Sequence, residues 1–260
     1  MPPGHGAWLL GMSTKMGLLR NPWRRAIKLL RLLRSKTFRR GLRFGVAASL
    51  ENLAAMRDLR IATVIDAGAN VGQFSLLIRG LHPQVEIHAF EPFPAAVARF
   101  TRLFAGDAGV HLHPVALGEA ETTAPLHISR RSDNSSLLPI NRSQTVFAPG
   151  TEAIGTVTVP VRRLDAVLAE TALPRPVLLK VDTQGGELAL LTGAEGLFPI
   201  IDYIYVEVSF VEFYTGQPLA DRILDYMQAH GYRIIGIGGV ARNDRDQILQ
   251  ADLLFERLTR

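Results

Sequence analysis

Past residue 60 the chain alternates short apolar runs with stretches whose apolar positions recur at helical spacing. The runs IATVID (61–66), VEIHAF (85–90), VHLHPVA (110–116), VLLKVD (177–182) and IDYIYVEV (201–208) predict strands. Helices are predicted near 72–80, 94–105, 185–196 and 218–230, and further strands near 232–237 and 250–256. Strand and helix in alternation imply a parallel sheet covered on both faces. Only ARNDRDQ separates the last two strands, so they pair as an antiparallel hairpin. The expectation is an α/β fold whose mostly parallel seven-stranded sheet ends in that hairpin.

Two regions depart from the alternation. Residues 117–165 read as an insertion, with strands at 124–129 and 154–161 around a polar loop. Insertions on the ligand side of an α/β sheet usually carry specificity. Residues 1–45 form a basic arm: a loosely structured stretch over 1–21, then a helix over 22–40 opened by Pro22. Trp23, Ala26, Ile27, Leu30 and Leu33 recur at helical spacing, with Arg24, Arg25, Lys28 and Arg31 on the other side. A second helix over 46–59 leads into the domain, residues 46–260.

Charge sharpens this division. The chain of 260 residues has a net charge of +5, yet residues 1–50 hold eleven basic residues and no acid. Residues 51–260 hold the other 18 basic residues and all 24 acidic ones, a net of −6. The arm therefore has two readings: its stripe packs on the domain, or the 22–40 helix lies on an anionic membrane surface. No apolar run approaches a membrane span, and residues 7–12 are too short for a signal peptide. The absence of cysteine excludes disulfides, thiolate metal sites and cysteine nucleophiles. It suits a reducing cytoplasm, where the membrane reading would make the protein peripheral at the inner face.

The first strand, VIDAGANVGQF, ends in Asp66 and enters a turn with Gly68, Asn70 and Gly72. A dinucleotide loop needs G-x-G-x-x-G, but Asn70 and Gln73 fill its second and third glycine positions. Asp66 also opposes phosphate and suits a ligand bearing an ammonium and a sulfonium. Glu91 ends the second strand, twenty-five residues on, where an acid accepts ribose hydroxyls. An acidic helix cap at Glu91-Pro92 is the plainer alternative.

With AFEPFP, NSSLLP (134–139), LLKVDTQGGELALLTGA (179–194) and YVEVSFVEFYTGQPL (205–219), these residues resemble the FkbM family of methyltransferases. The resemblance covers about residues 46–258. It implies a Rossmann-like methyltransferase fold and methyl transfer from S-adenosylmethionine to oxygen, chiefly hydroxyls of sugars and polyketides. It implies that Asp66, Gly68, Asn70, Gly72, Phe74 and Glu91 hold the cofactor. Asn134, Ser135 and Ser136 lie by the same resemblance near its methionine end or near the acceptor. The family often has a glutamate where this chain has Gln184, so Gln184 is assigned no catalytic role.

A sugar hydroxyl needs a general base or a metal. Asp182 ends the fourth strand at the crevice where α/β sheets bind ligands, and Glu207 lies at the end of the fifth. Together they are the catalytic candidates, either as a base or as ligands to magnesium or manganese. Glu187 is expected to face its helix N-terminus. His111 and His113 share a strand face without an evident third metal ligand. Tyr214 is a candidate sugar-stacking surface. The expected acceptor is a sugar hydroxyl in a glycan, glycolipid or related natural product, with a polyketide hydroxyl as the alternative. A nucleic-acid methyltransferase whose basic arm binds phosphates is the runner-up, against which DTQGG offers no Asn-Pro-Pro-aromatic clamp for a base.

Overall fold

The computed structural model describes residues 22–258. The expected loose stretch over 1–21 lies outside the described residues, as do the side chains of Trp23 and Ala26. The helix expected over 22–40 is two helices, α1 (Pro22–Arg34) and α2 (Lys36–Arg43). Ser35 divides them because its backbone is extended and its hydroxyl accepts the Phe38 N–H, an N-cap. The helix expected over 46–59 is shorter: a 3₁₀ turn (Leu50–Asn52) leading into α3 (Leu53–Met56).

The main sheet contains β1 (Thr63–Ala67), β2 (Glu86–Phe90), β3 (Val110–His113), β7 (Val177–Val181), β8 (Ile201–Ser209), β9 (Tyr232–Arg242) and β10 (Ile248–Arg257). Its order is β3-β2-β1-β7-β8-β10-β9. The first five strands run parallel, and β10 pairs antiparallel with both β8 and β9. This is the expected Rossmann-like methyltransferase arrangement. Both β1 and β7 are buried along their whole length, as central parallel strands must be. Two cores follow from their alternation. Val64, Ile87 and Leu178 meet α4 (Gln73–Leu81) and α5 (Pro94–Leu103), while Ile65, Leu179 and Val181 meet α8 (Glu187–Thr192) and α9 (Ala220–Ala229).

The insertion is more ordered than expected. β4 (Ala116–Leu117), β5 (Thr122–Ser129) and β6 (Ala153–Arg162) make a separate sheet, order β4-β6-β5. The strand expected over 110–116 is split between the two sheets at Pro114, which has no N–H for a ladder. Within the expected polar loop lies α6 (Arg142–Phe147), its first turn capped by the Asn141 side chain, which accepts the Gln144 N–H at 3.3 Å. A short α7 (Leu164–Val167) leads toward β7.

Candidate active site

The carboxyl ends of β1 and β2 are joined by backbone. The amides of Gly68 and Ala69 donate to the Phe90 carbonyl at 3.1 and 3.0 Å. Gly68 has φ +81°, and a Cβ there would overlap the Asp182 carbonyl, so only glycine lets the two strand-end turns touch. Glu91 is buried, and each of its oxygens takes one amide: Asn70 at 2.8 Å and Phe93 at 2.7 Å. Burial pushes the Glu91 carboxyl up to about 7 despite these two donors. Asn70 adopts a left-handed backbone (φ +47°), and its buried Oδ1 has no hydrogen-bond partner among the described residues.

Asp66, near the end of β1, faces α4. It is fully buried, accepts the Ser75 hydroxyl at 2.6 Å, and sits opposite Lys180 in the β1–β7 pairing, Nζ to Oδ1 3.4 Å. The Lys180 ammonium also reaches the Gly68 carbonyl at 3.2 Å and Asp182 Oδ2 at 3.5 Å. Burial opposes its charge, but Asp182 and Asp66 together hold its pKa above the ordinary lysine value.

At the ends of β7 and β8 the side chains organise one another. Gln184 has a left-handed backbone, φ +58°. Its amide nitrogen donates to Asp182 Oδ1 at 2.6 Å and to Glu207 Oε2 at 3.3 Å. Its amide oxygen accepts the Tyr214 hydroxyl at 2.6 Å, and its main-chain carbonyl accepts the Ser136 hydroxyl at 2.6 Å. Glu207 also accepts the Gln250 amide at 3.0 Å. Glu187 stands in the first turn of α8, and its Oε1 accepts the amides of Thr183 and Gly185 in the turn before the helix, both at 3.0 Å; burial pushes it up to about 7. The Tyr214 phenol is pushed well above its ordinary value, chiefly by burial. Tyr214 is almost wholly buried and so offers no open ring face for stacking on a sugar.

A cavity open to solvent joins these parts. Gly68, Asn70 and Glu91 line one wall, and Asp182 and Gln184 another. Ser135 and Ser136 come from the insertion. Asp66, Gly72, Phe74, Asn134 and Glu207 lie outside the lining. Gly72 packs beneath Phe104 and Phe100, and Phe74 stacks on Tyr205 in the core. Asn134 accepts the Gln144 amide at 2.6 Å. Glu207 stands behind Gln184 from the cavity, so sequence order brought the right strands together but not every named side chain to the surface of the site.

Gln184, assigned no role from sequence, is the centre of the β7–β8 cluster, and Lys180 links both strand-end acids. Neither is legible as an isolated residue. A Lys-x-Asp run in an otherwise apolar strand is the one available signal for Lys180.

The metal expectation does not fit this arrangement. The Gln184 amide lies between Asp182 and Glu207, and the Lys180 ammonium sits against Asp182. Among the described residues no three His, Cys, Asp or Glu side chains are grouped to hold an ion. His88 stacks on both His111 and His113, and burial with repulsion among the rings lowers His88 to about 4 and His113 below its ordinary value.

A model of the methyltransferase FkbM domain matches residues 66–234. Methyltransferase 1 of Beauveria bassiana is 32% identical over 173 residues, covering 61% of this chain and 70% of that protein. The 2-O-methyltransferase NoeI of Sinorhizobium fredii is 26% identical over 170 residues, 63% of this chain and 70% of that one. The 31-O-demethyl-FK506 methyltransferase FkbM of Streptomyces tacrolimicus is 28% identical over 204 residues, 66% and 73% of the two chains.

Proposed function

Because the chain belongs to the FkbM methyltransferase family and is an S-adenosylmethionine-dependent methyltransferase, we propose that it methylates a hydroxyl oxygen, that of a sugar in a glycan, glycolipid or related natural product. The observation that carries this reading is a single cavity with Gly68, Asn70 and Glu91 on one wall and a carboxylate, Asp182, on the other. Two similar proteins carry O-methyl transfer in their names, one at a 2-O and one at a 31-O position.

Bound S-adenosylmethionine supplies an electrophilic methyl group. Glu91 and the buried Asn70 Oδ1 offer acceptors for its hydroxyl and ammonium hydrogens. Asp66 contributes from behind, by holding Lys180, which fixes the Gly68 carbonyl. Asp182 takes the proton from the acceptor hydroxyl. Gln184 and Lys180 hold one Asp182 oxygen each, which sets the carboxylate plane and leaves lone pairs for that hydroxyl. Glu207 orients Gln184, and Ser135 and Ser136 shape the acceptor wall. Holding the hydroxyl in line with the methyl group supplies much of the rate.

The test is methyl transfer from labelled S-adenosylmethionine to separate panels of glycosides, glycolipids and hydroxylated polyketides, with the product bond identified by mass spectrometry. An O-methyl sugar formed by the wild type and lost in Asp182→Asn is the expected result. Label found only on polyketide hydroxyls would overturn the sugar assignment, and label on nitrogen or nucleic acid would overturn the hydroxyl assignment.

A further inference from the structure

The basic arm is both anchored and exposed. Leu32 and Phe38 are buried, with the Phe38 ring packed against Gly80 on α4. The Arg40 guanidinium donates to the Ala105 carbonyl at 2.7 Å, and Lys28 pairs with Glu51 at 2.9 Å. An amphipathic helix on a globular protein normally turns its apolar stripe inward. Here α1 does the reverse. Leu32 faces in, while Ile27, Leu29, Leu30 and Leu33 face out, 50, 48, 60 and 44% exposed.

The charge around this patch selects what can cover it. Arg31 and Arg34 lie among the four aliphatic side chains, and Lys36, Arg39, Arg40 and Arg43 continue the field along α2. The stretch from residue 27 to 45 has no acid. A second copy of the chain would bring a like field against this one. Nucleic acid would satisfy the cations and leave four aliphatic side chains in water. An anionic lipid leaflet satisfies both, because headgroups take the guanidinium groups while the acyl boundary takes the leucines. We propose that the outward face of α1, with Ile27, Leu29, Leu30 and Leu33 as its inserting residues, docks the protein on an anionic lipid surface.

The test uses the full chain and two kinds of vesicle, phosphatidylserine mixed with phosphatidylcholine and phosphatidylcholine alone. Two double variants are compared with wild type: Leu30→Ser with Leu33→Ser, and Arg31→Gln with Arg34→Gln. The wild type should co-sediment with the mixed vesicles and not with the neutral ones. Each double variant should lower partitioning by about tenfold or more. These side chains are exposed, so thermal midpoint and S-adenosylhomocysteine affinity should stay at wild-type values, which separates this result from any failure of the methyltransferase reading. Absent vesicle binding, equal binding to neutral vesicles, or a leucine variant that binds like wild type would each overturn the proposal. So would a dimer in sedimentation velocity that the leucine variant dissolves, or RNA retention lost only in the arginine variant.

Discussion

The two halves of the cavity wall hold their acids by different means. On the β1–β2 side the acid in the wall is Glu91, whose donors are main chain: both its oxygens take amides placed by the sheet and the turn. On the β7–β8 side the donors are side chains: Gln184 holds Asp182 and Glu207, and Gln250 holds Glu207 from the neighbouring strand. Main-chain donors cannot be moved without moving the fold, whereas an amide side chain has rotamers to change. The first half suits a ligand that never varies, and the second suits an acceptor that differs between relatives. The Lys180 ammonium reaches both halves, at the Gly68 carbonyl and at Asp182, and it is the place where the contrast is most easily broken.

Lys180→Met should have the largest effect. It leaves the fully buried Asp66 without its counter-charge, and breaking a buried pair on one side costs about 3–5 kcal/mol. The loss should be read as a lower urea midpoint with unchanged slope. Adding Asp66→Asn to Lys180→Met should return part of it, because the uncompensated charge is then gone. A Lys180→Met protein as stable as wild type would mean that Asp66 is not held by this pair.

Asp182→Asn tests the other half without disturbing the first. The amide keeps the size and one acceptor of the carboxylate but cannot take a proton. Turnover should fall by about 100-fold or more, while S-adenosylhomocysteine affinity changes less than about tenfold. Calorimetry and initial rates give the two numbers separately. Because Gln184 occupies the space between Asp182 and Glu207, chelator should leave wild-type turnover unchanged. Loss of activity on chelation, with recovery in magnesium, would replace the base assignment with a metal one.

Sequence pattern revealed the elements that are buried on two faces and missed what depends on single dihedral angles. The VLLKV and TVID runs placed β7 and β1 because a central parallel strand must be apolar on both sides. The same pattern overran at Pro114 and at Ser35, where a missing donor and a capping hydroxyl end an element that periodicity would continue. Within the site, Asp182 and Glu91 were legible as strand-end acids. Gln184 was not, because its role rests on φ +58° in a turn and on partners twenty or more residues away. Asp66 was legible as a strand-end acid, but its burial against Ser75 and Lys180 was not, since that depends on which face each strand residue takes.

Glu91→Ala should weaken cofactor binding and loosen the turn that Glu91 ties. On the proposal that Glu91 accepts ribose hydroxyls, its loss should weaken S-adenosylhomocysteine binding by about 1–3 kcal/mol. Because Glu91 also ties the amides of Asn70 and Phe93, Glu91→Gln is the necessary companion: it keeps one acceptor for the turn. Calorimetry showing wild-type affinity in both variants would remove Glu91 from the cofactor site.

The smallest expected effect is a pH dependence, and its signs identify the residue. Burial raises Glu91 from 4.5 to about 7, against the pull of its two backbone donors and of Lys180. A carboxyl whose folded pKa is raised binds its proton more tightly in the folded state. Its contribution to stability is therefore fully present below 4.5 and is lost as pH rises through 7. Ribose hydroxyls ask for the opposite, an ionised acceptor. Affinity for S-adenosylhomocysteine should thus rise by about tenfold between pH 6 and pH 8, near 1.4 kcal/mol, while the Glu91 contribution to stability of the free protein falls. Total stability does not isolate this slope. Glu187 is also raised to about 7, whereas His88, lowered to about 4, contributes stability that is lost as pH falls toward 4. The difference between wild type and Glu91→Gln cancels both. That difference should slope downward in stability and upward in affinity across neutral pH, and parallel pH profiles of the two proteins in calorimetry would show that Glu91 is already ionised, or does not touch the ligand.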